Sequence, residues 1–387
     1  MVVVSGIGIV SALGIGVDEN LRHLRNGESG IVEAHITSKR FRVPAGELQL
    51  TNDELKQRLG IDAKEIVSRT TLLGMLAARE AIASAALTDL SRVAFISSTT
   101  VGGMDLTPTF YKDYKASGSG DLRYVAQHDC ASSTLAIREF CHLGGFYTAI
   151  STACSSSANA IMLGARMIEA GEADIVVAGG TDALCDYTFA GFHSLMLLSQ
   201  KPCRPFDSER DGLNLGEGAA FLVLQREGEA KKTLARLSGY ANANDAHHQT
   251  AMTAEGRGAQ MAIKQALDKA NLRPSDIDYI NVHGTGTQNN DASELASMTA
   301  IFDHVPPFSS TKTFTGHTLA AAGAIEAVFC LLGIEHNFLW PTHNFQSPIE
   351  GAKATPITEL CSAEIHHAMS CSHGFGGNST TLIFSKI

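Results

Sequence analysis

Three stretches of this sequence put reactive side chains at the points where a strand gives way to a turn or a helix. In AISTACSSSANAI, Cys154 stands where an apolar β-like run stops and an Ala-rich helix begins. Backbone N–H groups and the dipole at a helix N-terminus favour a thiolate, so a cysteine placed there is expected to have a lowered pKa and to act as a nucleophile. Ala153, Ser155 and Ser156 are small and leave a substrate room to approach. In INVHGTGTQNND, His283 follows a strand and opens a glycine-threonine turn, the kind of strand end at which parallel-sheet proteins expose reactive groups. In SSTKTFTGHTLAAAGAIEA, Lys312 comes shortly before His317, and Gly316 leaves backbone room ahead of the helix that carries Glu326. A neutral imidazole donates one hydrogen bond, and two such donors can hold a thioester oxygen on which negative charge develops.

Each of these residues also has a plainer reading. A cysteine in a core is usually a small packing residue, and a lone histidine is usually a satisfied structural one. Metal binding is a further rival, yet no CxxC pair or HExxH helix occurs, and Cys154, His283 and His317 lie far apart in the chain, which argues against a zinc site. The doublets His247–His248 and His366–His367 show no ligand spacing. Eight cysteines scattered without close pairing fit reduced thiols better than a disulfide framework.

The elements that must position these groups alternate along the chain. Short apolar runs recur at 2–10, 92–97, 147–152, 174–179 and 219–225 between helical stretches, and the theme returns at 277–284 and 380–386. This is the pattern of crossover units on sheets buried on both faces, an α/β class. Both halves centre on a strand, a small-residue turn and an Ala-rich helix, at Thr152–Ala170 and at Thr311–Leu332, which suggests a fused pair of similar halves. The seam is expected in the polar stretch 225–237, dividing the chain into 1–235 and 236–387. The tract 201–218 is the longest without periodicity and is a candidate wall or lid, or else an ordered surface excursion.

Composition bounds what such a molecule does. With 387 residues, 44% hydrophobic and 18% charged, the chain buries a large core and is too long for one simple domain. A net charge of −10 argues against a general nucleic-acid binder. The opening MVVVSGIGIV reads as a strand and turn, not as a signal peptide, and no run approaches the roughly 18 uninterrupted apolar residues of a membrane helix. A cytoplasmic protein without membrane insertion is expected.

TACSSSANAI, RPFDSERDGLNLGEGAA, NVHGTGTQNND, SSTKTFTGHTLAAAGAIEA and GFGGNSTTLIF resemble, in the same order, the successive signatures of chain-elongating β-ketoacyl-acyl-carrier-protein synthases. The resemblance spans nearly the whole chain. It implies a duplicated five-layer α-β-α-β-α thiolase-like fold with two mixed sheets, a homodimer, and chemistry without a metal or organic cofactor. By motif, Cys154 would take the acyl chain, and the amides of Cys154 and Phe375 would form an oxyanion hole. His283 and His317 would bind the malonyl thioester oxygen and assist decarboxylation. Lys312 would orient His317 and pair with Glu326. Phe375 would act as an aromatic gate, with Thr285, Thr287 and Gly376 as supporting positions.

The same resemblance separates relatives. Thiolases and initiating synthases carry Asn where this chain has His283, so the two histidines favour decarboxylating elongation. Cys371 lies near the place of a thiolase acid-base cysteine, but SHGFGGN lacks the thiolase pattern, and Cys371 is read as structural. A non-decarboxylating acyltransferase that depends on Cys371 is the alternative, and a silent subunit of a synthase pair is disfavoured by the presence of Cys154. His373 stands where elongating synthases place an aromatic residue, and the chain is short for the family, so a specialised synthase of polyketide or polyene type stands beside fatty-acid elongation. Such a synthase would pair with an inactive homologue. Acidic acyl carrier protein is the implied partner, with Lys39, Arg40, Arg42, Lys64 and Arg69 as candidates for a positive rim.

Overall fold

Val2–Ser11 (β1) is a ten-residue run of valine, isoleucine, glycine and serine, buried at every position. Its glycines answer to helix Arg69–Ser84 (α1): a Cβ at Gly8 would lie 2.1 Å from the Ala77 carbonyl oxygen, so only glycine lets the helix sit this close. Ser68 caps α1 by accepting a hydrogen bond from the Thr71 amide. The computed structural model describes residues 1–387.

Four strands complete the first half: Ala94–Ser98 (β2), Tyr147–Ile150 (β3), Ile175–Asp182 (β4) and Gly218–Arg226 (β5). Their order is β3-β2-β4-β5-β1, parallel within β3-β2-β4 and antiparallel on either side of β5. The second half is built from Ala235–Asn244 (β6), Tyr279–Asn281 (β7), Phe308–Ser309 (β8), His367–Gly374 (β9) and Asn378–Ser385 (β10). It runs β8-β7-β9-β10-β6 with the same alternation of parallel and antiparallel pairs. The topology of the first half is repeated strand for strand.

The two mixed sheets expected from sequence are these two five-stranded halves, joined into one hydrogen-bonded path. The short turn after β5 returns the chain to the free side of β1, where Val3 and Val4 pair with Arg236 and Ala235 of β6.

Helices Ser156–Ala170 (α2), Asp186–Ser194 (α3), Arg257–Ala270 (α4), Gln288–Ile301 (α5) and Ala322–His336 (α6) supply the layers and part of the site. α1 covers the outer face of the first half and α4 that of the second, while α2 and α6 pack against each other between them. The result is α-β-α-β-α. A Cβ at Gly323 of α6 would come within 2.8 Å of the Ala158 Cβ of α2, so the central helices touch backbone to backbone. The segment Leu319–His336 is long and apolar enough to cross a membrane, yet 89% of it is buried. Its apolarity is that of a helix packed between two sheets.

Arg69 does not belong to any exposed basic rim. It is 3% exposed at the start of α1, where its guanidinium pairs with Glu217 at 2.6 Å and bonds the carbonyls of Leu48 and Leu50. A buried guanidinium needs such a carboxylate, and Glu217 at the head of β5 provides it. Lys39, Arg40, Arg42 and Lys64 are exposed as expected.

Candidate active site

The repeated topology brings the N-terminal ends of the two central helices together. Cys154 follows β3 and precedes α2 through a tight turn in which Ala153 takes a left-handed φ of 53°. That conformation is costly for a residue with a Cβ and aims the next side chain out of the strand direction. His317 lies ahead of α6, its amide donating to Asn214 O at 2.8 Å and its carbonyl accepting from Gly216 N at 2.9 Å. The tract 201–218 is therefore a wall: it pins His317 and lines the cavity with Asp211, Gly212 and Leu213. His283 enters from the end of β7, and the Glu294 carboxylate of α5 accepts hydrogen bonds from the His283 amide at 2.7 Å and the Gly284 amide at 2.8 Å.

These placements converge. Cys154 Sγ and one ring nitrogen each of His283 and His317 lie within 4.8 Å of one another. The two imidazoles meet edge-on, 5.1 Å between centroids and 90° between planes. All three line a cavity of about 390 Å³, together with Phe375, Phe192 and Thr285. Phe375 stacks on Phe192 at 5.9 Å, and its backbone N–H reaches the Cys154 sulfur. Thr285 and Thr287 share a 3.0 Å contact between hydroxyls on the cavity wall. Gly376 is not on that wall; with φ of 86° it turns the backbone so that its amide donates to Gln249 O at 2.7 Å.

Lys312 sits beneath the pair. Its ammonium makes an ion pair with Glu326 and lies 3.3 Å from Nδ1 of His283. The expected pairing with Glu326 is present, but the histidine touched is His283. His317 Nδ1 has no hydrogen-bond partner, and Lys312 acts on that ring only through its charge. The three side chains that sequence separation made improbable as a metal set are brought within ligand range of each other, with the Lys312 cation already fixed beside them.

Burial dominates the electrostatics. It pushes the Cys154 thiol up to about 12, against the opposing pull of Lys312 and the Phe375 amide. The lowered pKa expected from the helix N-terminus is thus outweighed: Cys154 is 6% exposed, and losing water costs the anion more than the helix end returns. Glu326 is likewise pushed up, to about 7, by burial. His283 is held well below the ordinary 6.5 by burial and then by Lys312, His317 and His373, and His317 by burial and Lys312.

Both imidazoles are therefore neutral in the fold. Depressed folded pKa values contribute stability that is fully present above about pH 6.5 and is lost as pH falls toward the folded values, by up to about 1.4 kcal/mol per pH unit for each histidine. Thermal melts are expected to fall off below about pH 6.5, and His317→Gln, which does not titrate, should flatten that slope. An unchanged slope would assign the acid loss to other groups.

Cys371 lies apart from this constellation. It belongs to a separate apolar cluster, does not line the cavity, and has its thiol raised by burial and by Glu294. Sequence reasoning missed Phe192 and Glu294. Phe192 carried no signal beyond its place in α3, whereas an acidic pair at Asp291 and Glu294, both buried on one face of α5, was the available hint that a carboxylate there has a task.

Comparison with known proteins finds relatives over the whole chain. Residues 1–230 match the family model described as β-ketoacyl synthase, N-terminal domain, and residues 234–346 match that of the C-terminal domain. The chain is 32% identical to the 3-oxoacyl-[acyl-carrier-protein] synthase 2 of Staphylococcus aureus, covering 100% of this chain and 98% of that protein. It is 40% identical over 255 residues to the mitochondrial 3-oxoacyl-[acyl-carrier-protein] synthase of Arabidopsis thaliana, a match that spans 55% of that protein. Among solved structures, the ishigamide ketosynthase/chain length factor superposes with a TM-score of 0.93 at 29% identity, covering 100% of this chain and 99% of that one.

Proposed function

Because the chain belongs to the β-ketoacyl synthase family, we propose that it condenses an acyl group held on Cys154 with malonyl-acyl carrier protein, releasing CO₂ and forming a 3-oxoacyl-acyl carrier protein. The observation that carries this reading is the meeting of Cys154 Sγ with a ring nitrogen of His283 and of His317 inside 4.8 Å at one cavity.

In the first half-reaction the Cys154 sulfur attacks the acyl thioester. Its proton passes to the neutral imidazole of His317 and on to the departing carrier thiol, and the amide of Phe375 is placed to receive charge on the tetrahedral oxygen. In the second, the malonyl thioester oxygen accepts hydrogen bonds from His283 and His317. An ammonium only donates, so Lys312 at Nδ1 makes that atom of His283 the acceptor and leaves the proton on Nε2. The unpartnered Nδ1 of His317 marks that ring as one with hydrogen-bonding capacity still to be satisfied. As the carboxylate leaves as CO₂, the two rings hold the enolate, whose carbon attacks the acyl–Cys154 thioester and expels the sulfur as a thiolate, which takes up a proton from solvent.

Lys39, Arg40 and Arg42 are the residues we favour for carrier-protein contact. Phe41 between them packs on Phe189 and His193 of α3, the helix that brings Phe192 to the cavity. A cytoplasmic dimer is the proposed form, each chain consisting of the halves 1–235 and 236–387. β3 is one end strand of the sheet, and Phe146, Tyr147 and Leu135 beside it are exposed, which supports association there with a second copy or with an inactive homologue; the ishigamide ketosynthase/chain length factor relative is by its name such a pair. In the latter case polyketide-type synthesis is the pathway; otherwise fatty-acid elongation is.

The test is incubation of the full chain with malonyl-acyl carrier protein and a panel of acyl-acyl carrier proteins, following CO₂, product mass and intact-protein mass. Acylation at Cys154 with a 3-oxoacyl product is expected. Absence of acylation and of CO₂ with every donor, alone and with a supplied partner subunit, would overturn the reading.

A further inference from the structure

The cavity wall holds a third imidazole beside the His283–His317 pair. His373, on β9, is 5% exposed, and its ring stands edge-on to His283 at 5.6 Å between centroids. Nδ1 is 3.1 Å from the hydroxyl of Ser379, its cross-strand neighbour in β10. Nε2 faces Oε1 of Glu294 at 3.3 Å, an ion-pair distance without ideal hydrogen-bond alignment, and has no hydrogen bond elsewhere. A serine hydroxyl donates or accepts, so Ser379 serves Nδ1 in either protonation state and leaves the Nε2 proton directed at the carboxylate. Glu294 is the group that accepts from the His283 and Gly284 amides. One buried carboxylate therefore ties His373 to the backbone of the turn that aims His283. Burial pushes Glu294 up, yet His373 and those two amides together hold it below the usual carboxylate value.

We propose that His373 is a positioning residue for His283: acting through Glu294, it holds the His283–Gly284 turn in the orientation that malonyl decarboxylation requires. The inference rests on the condensing function proposed above. Cys154 reaches the cavity from a different element, the turn after β3, so the acylation half-reaction does not depend on this tie. A phenyl ring at position 373 would occupy similar space but offer Glu294 no imidazole, leaving the carboxylate held only by the His283 and Gly284 amides and a long contact from Asn290, and freer to shift. A misplacement of about 1 Å in a group that holds developing charge lowers a rate by as much as roughly 10²-fold.

The experiment compares wild type, His373→Phe and His373→Gln in the two half-reactions separately: acylation of Cys154 by intact mass, and CO₂ release from malonyl-acyl carrier protein, each beside a thermal melt. His373→Phe is expected to acylate Cys154 as wild type does while releasing CO₂ about 10- to 100-fold more slowly. His373→Gln, whose amide N–H reaches toward Glu294, should recover most of that loss. The proposal is overturned if His373→Phe decarboxylates at the wild-type rate, or if it loses both half-reactions together with its melting transition, which would make His373 a packing residue. A changed acyl-chain preference with CO₂ release intact would also overturn it, placing His373 in the acyl pocket instead. Failure of the underlying functional reading looks different, since wild type itself would then neither acylate nor release CO₂.

Discussion

Cys154→Ala should abolish acyl-enzyme formation and lower condensation by about 10³-fold or more, the scale seen when a covalent nucleophile is removed. Cys154→Gln should also fail to condense but should keep releasing CO₂ from malonyl-acyl carrier protein, because its amide occupies the space of an acylated sulfur while His283 and His317 remain in place. Intact-protein mass and CO₂ release, measured on the same samples, separate the two variants. If Cys154→Ala still becomes acylated, the nucleophile is elsewhere. If Cys371→Ala loses activity as fully as Cys154→Ala does, the thiolase-type alternative returns, against the burial of Cys371 outside the cavity.

The second large effect concerns Lys312. Its removal as Lys312→Met leaves the Glu326 carboxylate, 2% exposed, without its cation, and a buried ion pair broken on one side costs about 3–5 kcal/mol. The loss should grow with pH. Glu326 is already pushed up to about 7 with Lys312 present, and without the lysine its folded pKa rises further. A raised folded pKa contributes stability below the unfolded value that is lost as pH rises through the folded one, so the variant should weaken most on the alkaline side. The double variant Lys312→Met/Glu326→Leu should recover much of the stability, since no charge is stranded, but not the decarboxylation, since His283 Nδ1 keeps no donor and its tautomer is free to change. Denaturation curves across pH together with CO₂ release check both halves. Full recovery of decarboxylation in the double variant would show that the lysine serves the fold alone.

Much of this site was legible in the chain. Cys154 ahead of an Ala-rich helix, His283 at a strand end and Lys312 with Glu326 flanking His317 were all visible as local patterns, because each depends on a strand-to-turn or turn-to-helix junction that a dozen neighbouring residues specify. The duplicated plan was visible for the same reason: apolar runs alternating with helical stretches reflect elements buried on both faces, and burial writes itself into composition. Even the glycines of SGIGIV had a local signature, although the reason for them, the 2.1 Å approach of a Cβ at Gly8 to Ala77, lies in another element.

What only the tertiary structure decided were relations between distant segments. The helix N-terminus alone predicts a lowered pKa for Cys154; it rises because the fold buries the residue, with β9 against its backbone at Gly374, and desolvation depends on what surrounds a group, not on what precedes it in the chain. The sequence offers Lys312 to the nearer histidine, but it lies against His283 instead, since the pairing of β7 beside β8 brings the segments that follow these strands together. Arg69 is a rim candidate by its charge alone but is a buried ion-pair partner in the fold, because Glu217, 148 positions away, lies beside it. His373 read as a departure from an aromatic pattern, and its link to Glu294 and the His283 turn became visible only when β9, β10 and α5 were packed together. Local periodicity and turn chemistry determine which elements form and where reactive groups are offered; charge state, partner choice and which groups share one cavity follow from long-range packing, where the interacting atoms are neighbours in space and strangers in sequence.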